Sequence, residues 1–111
     1  MIIVNLVVFN KEQINNVVSK ALKNKWTLNV IVSNAVDSYY MDESTIKNHS
    51  GAHVIQFATK SLLFSEIEST LIKELPGMYF IMYAAPAVHI DTVYYDIIKN
   101  EVSGLTLLEK E

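Results

Sequence analysis

Residues 52–86, AHVIQFATKSLLFSEIESTLIKELPGMYFIMYAAP, decide how the rest of the chain is read. His53-Val54-Ile55-Gln56-Phe57-Ala58-Thr59 lies between Gly51 and Lys60-Ser61, and its β-branched and aromatic content predicts a buried strand. From Leu62 the period changes. Leu63, Phe64, Ile67, Leu71 and Leu75 recur at helical steps, with Glu66, Glu68, Ser69 and Lys73 elsewhere, the pattern of a one-sided helix. Ser61 can cap that helix, and Ser65-Glu66-Ile67-Glu68 offers a competing capping box one turn later. Pro76-Gly77 stops it, because proline cannot continue a helix and glycine tolerates the reversal. Residues 78–85 then predict a second buried strand.

The N-terminal half repeats this order. Residues 2–9 predict a strand, interrupted by Asn5, and Asn10 with Gln13 completes a capping-box pattern. Ile14, Val17, Val18, Ala21 and Leu22 form a helical stripe, Asn24-Lys25 ends it, and Trp26 is placed to plug the gap beneath the turn, with stacking on a ligand as the other reading. Residues 28–40 read as an extended stretch, with Val30, Val32 and Val36 interleaved with Asn29, Ser33 and Asp37. Asn34-Ala35 breaks the alternation and predicts a bulge. The stretch outruns an ordinary strand by a factor of about two, so it should reach beyond its own domain. Residues 41–50, with Asp42, Glu43 and His49, read as a polar, mobile hairpin tip.

After Pro86, Asp91 can cap a third helix with Val93, Tyr94, Ile97 and Ile98 on its apolar side and Gly104 as its stop. Leu105-Thr106-Leu107-Leu108 is a short apolar run expected to rest on a sheet edge or another subunit, before a solvated Glu109-Lys110-Glu111 tail. Two strand-helix-strand units joined by a hairpin predict a ferredoxin-like α+β fold. Its four-stranded antiparallel sheet would carry helices on one face, and a C-terminal helix would complete a single domain over residues 1–111.

A chain of 111 residues buries roughly 65% of the surface its unfolded form exposes, enough for one core. The 50% hydrophobic content fits either a dense core or a subunit interface. Arginine is absent, nine lysines supply the basic charge, and the formal net charge is −3, which argues against a nucleic-acid partner. The absence of cysteine removes disulfide and thiolate chemistry and is compatible with a reducing cytoplasm. Met1-Ile2-Ile3-Val4 has neither the flanking lysine nor the small-residue cleavage pattern of a signal peptide. Residues 78–88, the longest apolar run, are too short to span a bilayer. The expectation is a soluble, cytoplasmic protein with no membrane partner.

His49 and His53 stand four apart, but across a turn and a strand start that spacing covers about 13 Å, too far to share one ion. His89 and Asp91 could contact one ion at a helix start, or be an ordinary cap beside a surface histidine. Met78 and Met82 share a strand face and read as core packing. Thr59-Lys60-Ser61, at a strand-to-helix junction, makes Lys60 and Ser61 the candidates for binding a nucleotide or small anion. The glycines of a phosphate loop are missing there. Glu66 and Glu68 point to opposite sides of a helix. Tyr39-Tyr40, Tyr79, Tyr83 and Tyr94-Tyr95 could line an interface or a pocket. No catalytic arrangement is visible, and the expectation is a protein that is not an enzyme.

Order and spacing over residues 3–98 resemble the CutA divalent-cation tolerance family, trimeric ferredoxin-like proteins related in fold to the PII signalling proteins. Ala58-Thr59-Lys60-Ser61-Leu62 stands where that family has Lys-Thr before a helix, and Thr59 agrees. Ala85-Pro86-Ala87-Val88 is similar to its Leu-Pro-Val, and Val93-Tyr94-Tyr95-Asp96-Ile97-Ile98 to its aromatic closing helix. Asn10-Lys11-Glu12 and Leu28-Asn29-Val30 stand where it has Pro-Asp-Glu and Cys-Val-Asn. Its cysteine after the first strand is absent. Its His-Pro-Tyr is Leu75-Pro76-Gly77 here, and the Trp and Gly of its hairpin tip are replaced within residues 41–44. The resemblance implies a homotrimer in which the long hairpin pairs with a neighbour, and a part in divalent-cation tolerance with a cation such as copper. A PII-like sensor binding a nucleotide between subunits, and a trimeric scaffold with a protein partner, are the other readings it allows.

Overall fold

The computed structural model describes residues 1–102, and its core follows from alternation along β1 (Ile2–Val8). Val4, Leu6 and Val8 are fully buried on one face of the sheet, while Ile3, Asn5 and Val7 point to the other. After β1 come α1 (Glu12–Lys23), β2 (Ile31–Asp42), β3 (Thr45–Thr59), a 3-10 turn (Ser61–Leu63), α2 (Phe64–Glu74), β4 (Phe80–Pro86) and α3 (Thr92–Glu101). The strands form one antiparallel sheet in the order β2-β3-β1-β4. This is the ferredoxin-like arrangement that two strand-helix-strand units predict.

Val17 and Ala21 of α1, and Ile67 and Leu71 of α2, pack with Val4, Leu6, Val8, Ile55 and Phe57 in one core. Both helices therefore cover the same face of the sheet. Lys20 Nζ reaches Glu74 Oε1 at 2.6 Å between the helices, a partly exposed pair that contributes little to stability.

Helix ends show which local signals were used. Asn10 Oδ1 accepts from the Glu12 N–H at 2.9 Å, as a cap should. Gln13 does not close the box; its Oε1 accepts from Asn16 Nδ2 at 3.3 Å. At the far end Lys25 sits in the left-handed region at φ 56, with Lys25 N–H on the Leu22 carbonyl and Trp26 N–H on the Ala21 carbonyl. That is a Schellman motif, and it turns Trp26 inward to 3% exposure as its plug. Ser61 does not cap α2: no side-chain cap bond forms there, and the Ser61 Oγ accepts from the Met1 amine at 3.1 Å. The box at Ser65 is unused because the helix has already begun at Phe64. Asp91 caps α3 through Oδ2 to the Tyr94 N–H at 3.0 Å. Of the expected apolar side of α3, Ile98 is buried and Tyr94 half-buried, but Val93 and Ile97 are exposed. The Gly104 stop and the residue 105–108 run lie outside the described residues.

The hairpin departs furthest from expectation. β2 starts at Ile31 rather than residue 28 and continues to Asp42, while β3 starts at Thr45. Most of the polar stretch 41–50 is therefore paired strand rather than loop, turning at Glu43-Ser44 with Glu43 at φ 57. Its alternation is lost because a two-stranded ribbon has no buried face to impose one. Residues 45–52 of β3 have β2 as their sheet neighbour and nothing from β1, so the ribbon overhangs the body by ~25 Å. It gives the molecule its 51 Å long axis.

Two irregularities twist the ribbon. The register steps from Ser33↔Val54 to Val36↔Ala52, with the extra residue on β2 and Ala35 at φ 55, where the broken alternation predicts a bulge. It then steps from Val36↔Ala52 to Ser38↔His49, with the extra residue on β3 and Gly51 at φ 82. The second bulge needs the positive φ that glycine adopts freely. It also reverses the alternation of β3 between His53 and His49.

Candidate functional site

Because of that reversal, His53 and His49 project to opposite faces of the sheet. His53 lies on the helix side at 6% exposure, where its Nδ1 accepts from the Ala35 N–H at 3.4 Å and supports the strained bulge. A ring that accepts at Nδ1 carries its proton at Nε2. His49 lies on the open side, edge-on to Phe9 at 5.0 Å between ring centroids. Its Nδ1 is shielded from solvent and has no hydrogen-bond partner. His89 is exposed beyond β4, and the Asp91 carboxylate beside it is occupied in capping α3.

Phe9 stacks on Tyr79 at 5.4 Å, so one phenyl ring joins His49 of the ribbon to the approach of β4. Together with Ser38, Tyr40, Met41 and Ile81 these residues line a cavity of about 480 Å³ at the root of the ribbon. The pairing Val8↔Phe80 explains the meeting: Phe9 and Tyr79 are the next residues out on adjacent strands. A smaller cleft of about 260 Å³ lies at the other end of the open face, among Ile3, Asn29, Ile31, Gln56 and Tyr94. Between the two, Gln56 Nε2 donates to Asn5 Oδ1 at 2.6 Å across a register pair. The rest of the open face is apolar and uncovered: Ile31 is 57% exposed and Tyr83 54%.

Lys60 and Ser61, the candidates for an anion, stand at the β3–α2 junction as the sequence places them. Lys60 is 3% exposed and its Nζ donates to the Val102 carbonyl oxygen at 3.0 Å, clasping the end of α3. Ser61 Oγ holds the Met1 amine. An anion there would have to draw the Lys60 ammonium away from Val102. Among the tyrosines, Tyr40 and Tyr79 meet at the cavity, Tyr94 lines the cleft, and Tyr39 and Tyr83 are exposed. Phe9 and Ile81 were missed as site residues, since sequence spacing carries no sign that they converge.

A divalent cation finds no ready set of ligands among the described residues of one chain. Among the described residues no three histidine, aspartate or glutamate side chains converge. His53 presents no free lone pair, and a metal on His49 Nε2 would force a proton onto the shielded Nδ1, where ligating histidines normally have an acceptor.

No family model matches the chain, and no curated protein matches it by sequence. Solved structures do. The four-stranded ferredoxin-like sheet with its overhanging ribbon defines a class, and the proteins found in that class are CutA1 divalent cation tolerance proteins. The chain superposes on the CutA1 of Thermus thermophilus with a TM-score of 0.79 at 13% identity, covering 93% of this chain and 100% of that one. Against Pyrococcus horikoshii CutA1 the TM-score is 0.77 at 18% identity, with 94% and 100% covered. Against Oryza sativa CutA1 it is 0.76 at 20% identity, with 92% and 93% covered. At these identities the likeness is one of fold, shared with CutA1 over 92% to 94% of the chain.

Proposed function

We propose that the protein is a non-catalytic, CutA-like protein with a part in divalent-cation tolerance, acting as a homotrimer in the cytoplasm. The observation that carries the reading is the shared architecture, which runs through 93% of the chain to proteins named for that tolerance. Assembly is supported by the surface the fold leaves open. Ile31, Ile81 and Tyr83 are exposed on one sheet face, and Tyr39, Met41 and Ile46 on the ribbon. A two-stranded ribbon with free edges invites pairing with another chain, and closed symmetry satisfies it. Since no three histidine, aspartate or glutamate side chains converge among the described residues of one chain, a cation such as copper would be held by residues from more than one subunit. No helix among the described residues is long and apolar enough to cross a membrane, while one CutA of the same fold, from Archaeoglobus fulgidus, is described as periplasmic.

Sedimentation velocity together with equilibrium dialysis against Cu²⁺ and Zn²⁺ tests both halves. A trimer that takes up cation in a fixed ratio to subunits is the expected result. A monomer at all concentrations, or a trimer with no uptake beyond that of a His49/His53/His89 triple variant, would remove the reading.

A further inference from the structure

The two bulges at the ribbon root cancel. Ser33↔Val54 before them and Ser38↔His49 after them are five residues apart on either strand, so the register is the same on both sides. A bulge-free ladder through Asn34↔His53 and Ala35↔Ala52 would therefore meet the same outer pairs and the same turn. It would also return Ala35 from φ 55 to extended backbone, while Gly51 adopts either conformation freely. Each bulge reverses the alternation of its own strand, so the two ladders present opposite ribbon faces to the open side of the sheet. In the bulged form His49 meets Phe9 there; in the regular one His49 would turn to the helix side.

We infer that the ribbon root is a two-state joint set by a proton on His53: the neutral ring holds the bulged ribbon, and the imidazolium releases it to the regular ladder. The bulge is tied by the Ala35 N–H donating to His53 Nδ1. Since Nε2 carries the first ring proton, the second must go on Nδ1, which then faces the Ala35 N–H donor to donor. At 3.4 Å the tie is long, and it holds a residue in a strained conformation, so the two states lie close in energy. No counter-charge waits for the proton. Among the described residues no carboxylate oxygen lies within 4 Å of the His53 ring, which is buried on the helix side. β1, whose Val8 is its register partner, has no titratable side chain. Asp37 on β2 and Lys11 and Glu12 at the start of α1 are exposed, and Glu74 of α2 is held by Lys20. His49, on the same strand, lies on the other face. Falling pH therefore releases the joint and rising pH restores it.

The inference goes beyond the tolerance reading and does not rest on it. NMR of the full chain at about pH 7.5 and about pH 5.5, either side of the ordinary imidazole range, tests it. At the higher pH the Phe9 and His49 rings should share a nuclear Overhauser contact, and Ala52 should show its cross-strand contact with Val36. At the lower pH, with ring nitrogen shifts reporting His53 as protonated, the Phe9–His49 contact should disappear and the Ala52 contact should move to Ala35. His53→Asn keeps an acceptor near the Nδ1 position without a titrating group, and should hold both contacts at either pH. Ala35→Gly relieves the strain of the bulge and should retain the Phe9–His49 contact at the lower pH. The inference is overturned if His53 stays neutral at the lower pH, or if the contacts persist once it is protonated. It is overturned equally if either variant loses them with falling pH as the parent does, since assembly or another histidine would then be the cause. Cation uptake by dialysis is scored separately, so either reading can fail alone.

Discussion

The Thr59 hydroxyl donates to the Trp26 carbonyl oxygen at 2.6 Å, with both residues buried. This bond fastens the end of β3, paired in the sheet with Ile2 of β1, to the turn after α1, and so adds a side-chain tie between the two strand-helix-strand units. Thr59→Val keeps the shape but leaves the Trp26 carbonyl unpaired. A loss of about 1–3 kcal/mol is expected, seen as a lower urea midpoint with an unchanged slope. A variant as stable as the parent would show that the bond contributes nothing net.

Lys60→Met tests the clasp on α3. The change preserves most of the side-chain volume and removes the donor to the Val102 carbonyl. Losing a charged hydrogen bond costs about 1.5–3 kcal/mol, offset in part because a buried ammonium no longer needs desolvation. Faster amide hydrogen exchange at the C-terminal turn of α3, with β1 and β3 still protected, is the expected signature. Uniform exchange across the chain would count against a local role.

Lys25 occupies a left-handed position at φ 56 that the Schellman motif requires and that glycine fills at lower conformational cost. Lys25→Gly should stabilise the protein by about 0.5–1 kcal/mol, read as a higher Tm. A lower Tm would mean that the lysine makes a compensating contact.

Gly51 presents the opposite case. A Cβ there meets no atom within 4 Å, yet φ is 82, so any destabilisation by Gly51→Ala arises from backbone strain rather than from a clash. About 1–2 kcal/mol is expected. Because the bulge turns His49 toward Phe9, the His49 ring protons should also lose their aromatic shift in the NMR spectrum. Unchanged shifts would show that the contact survives without the bulge.

Ile31→Glu puts a carboxylate on the uncovered sheet face at a residue that is 57% exposed in the single chain. The isolated fold should tolerate it, changing by no more than about 0.5 kcal/mol, while a subunit contact at this face should be lost. A sedimentation coefficient falling to that of one chain, with an unchanged circular dichroism spectrum, is the outcome that fits assembly through this face.

The sequence made some features legible because they are local and others opaque because they are not. Asp91, Trp26 and the Asn34-Ala35 bulge could be read directly, since a cap, a plug and a broken alternation each need only a few neighbouring residues. The strand nature of residues 45–50 could not. Alternation records a buried face, and the ribbon has none, so Thr45, Lys47 and Asn48 look like loop. Val93 and Ile97 misled for the converse reason: a stripe shows what a helix could bury, not what meets it. Spacing sets His49 beside His53 in the chain, whereas the fold sets its ring against Phe9, which in turn stacks on Tyr79. Those contacts follow from a register and a bulge that a list of residues does not display.

The ribbon has a further use as an engineering handle. Its tip is a two-residue turn on a ladder that rests on no helix, so facing pairs such as Met41↔Ile46 and Asp42↔Thr45 can be excised together without disturbing the globule. Removing one residue alone would instead swing Tyr40 and Lys47 to opposite sides. Length here is therefore adjustable in matched steps of two residues from each strand, because facing pairs alternate between hydrogen-bonded and non-hydrogen-bonded and the two-residue turn closes on one kind, and the turn is a natural place to graft a foreign loop.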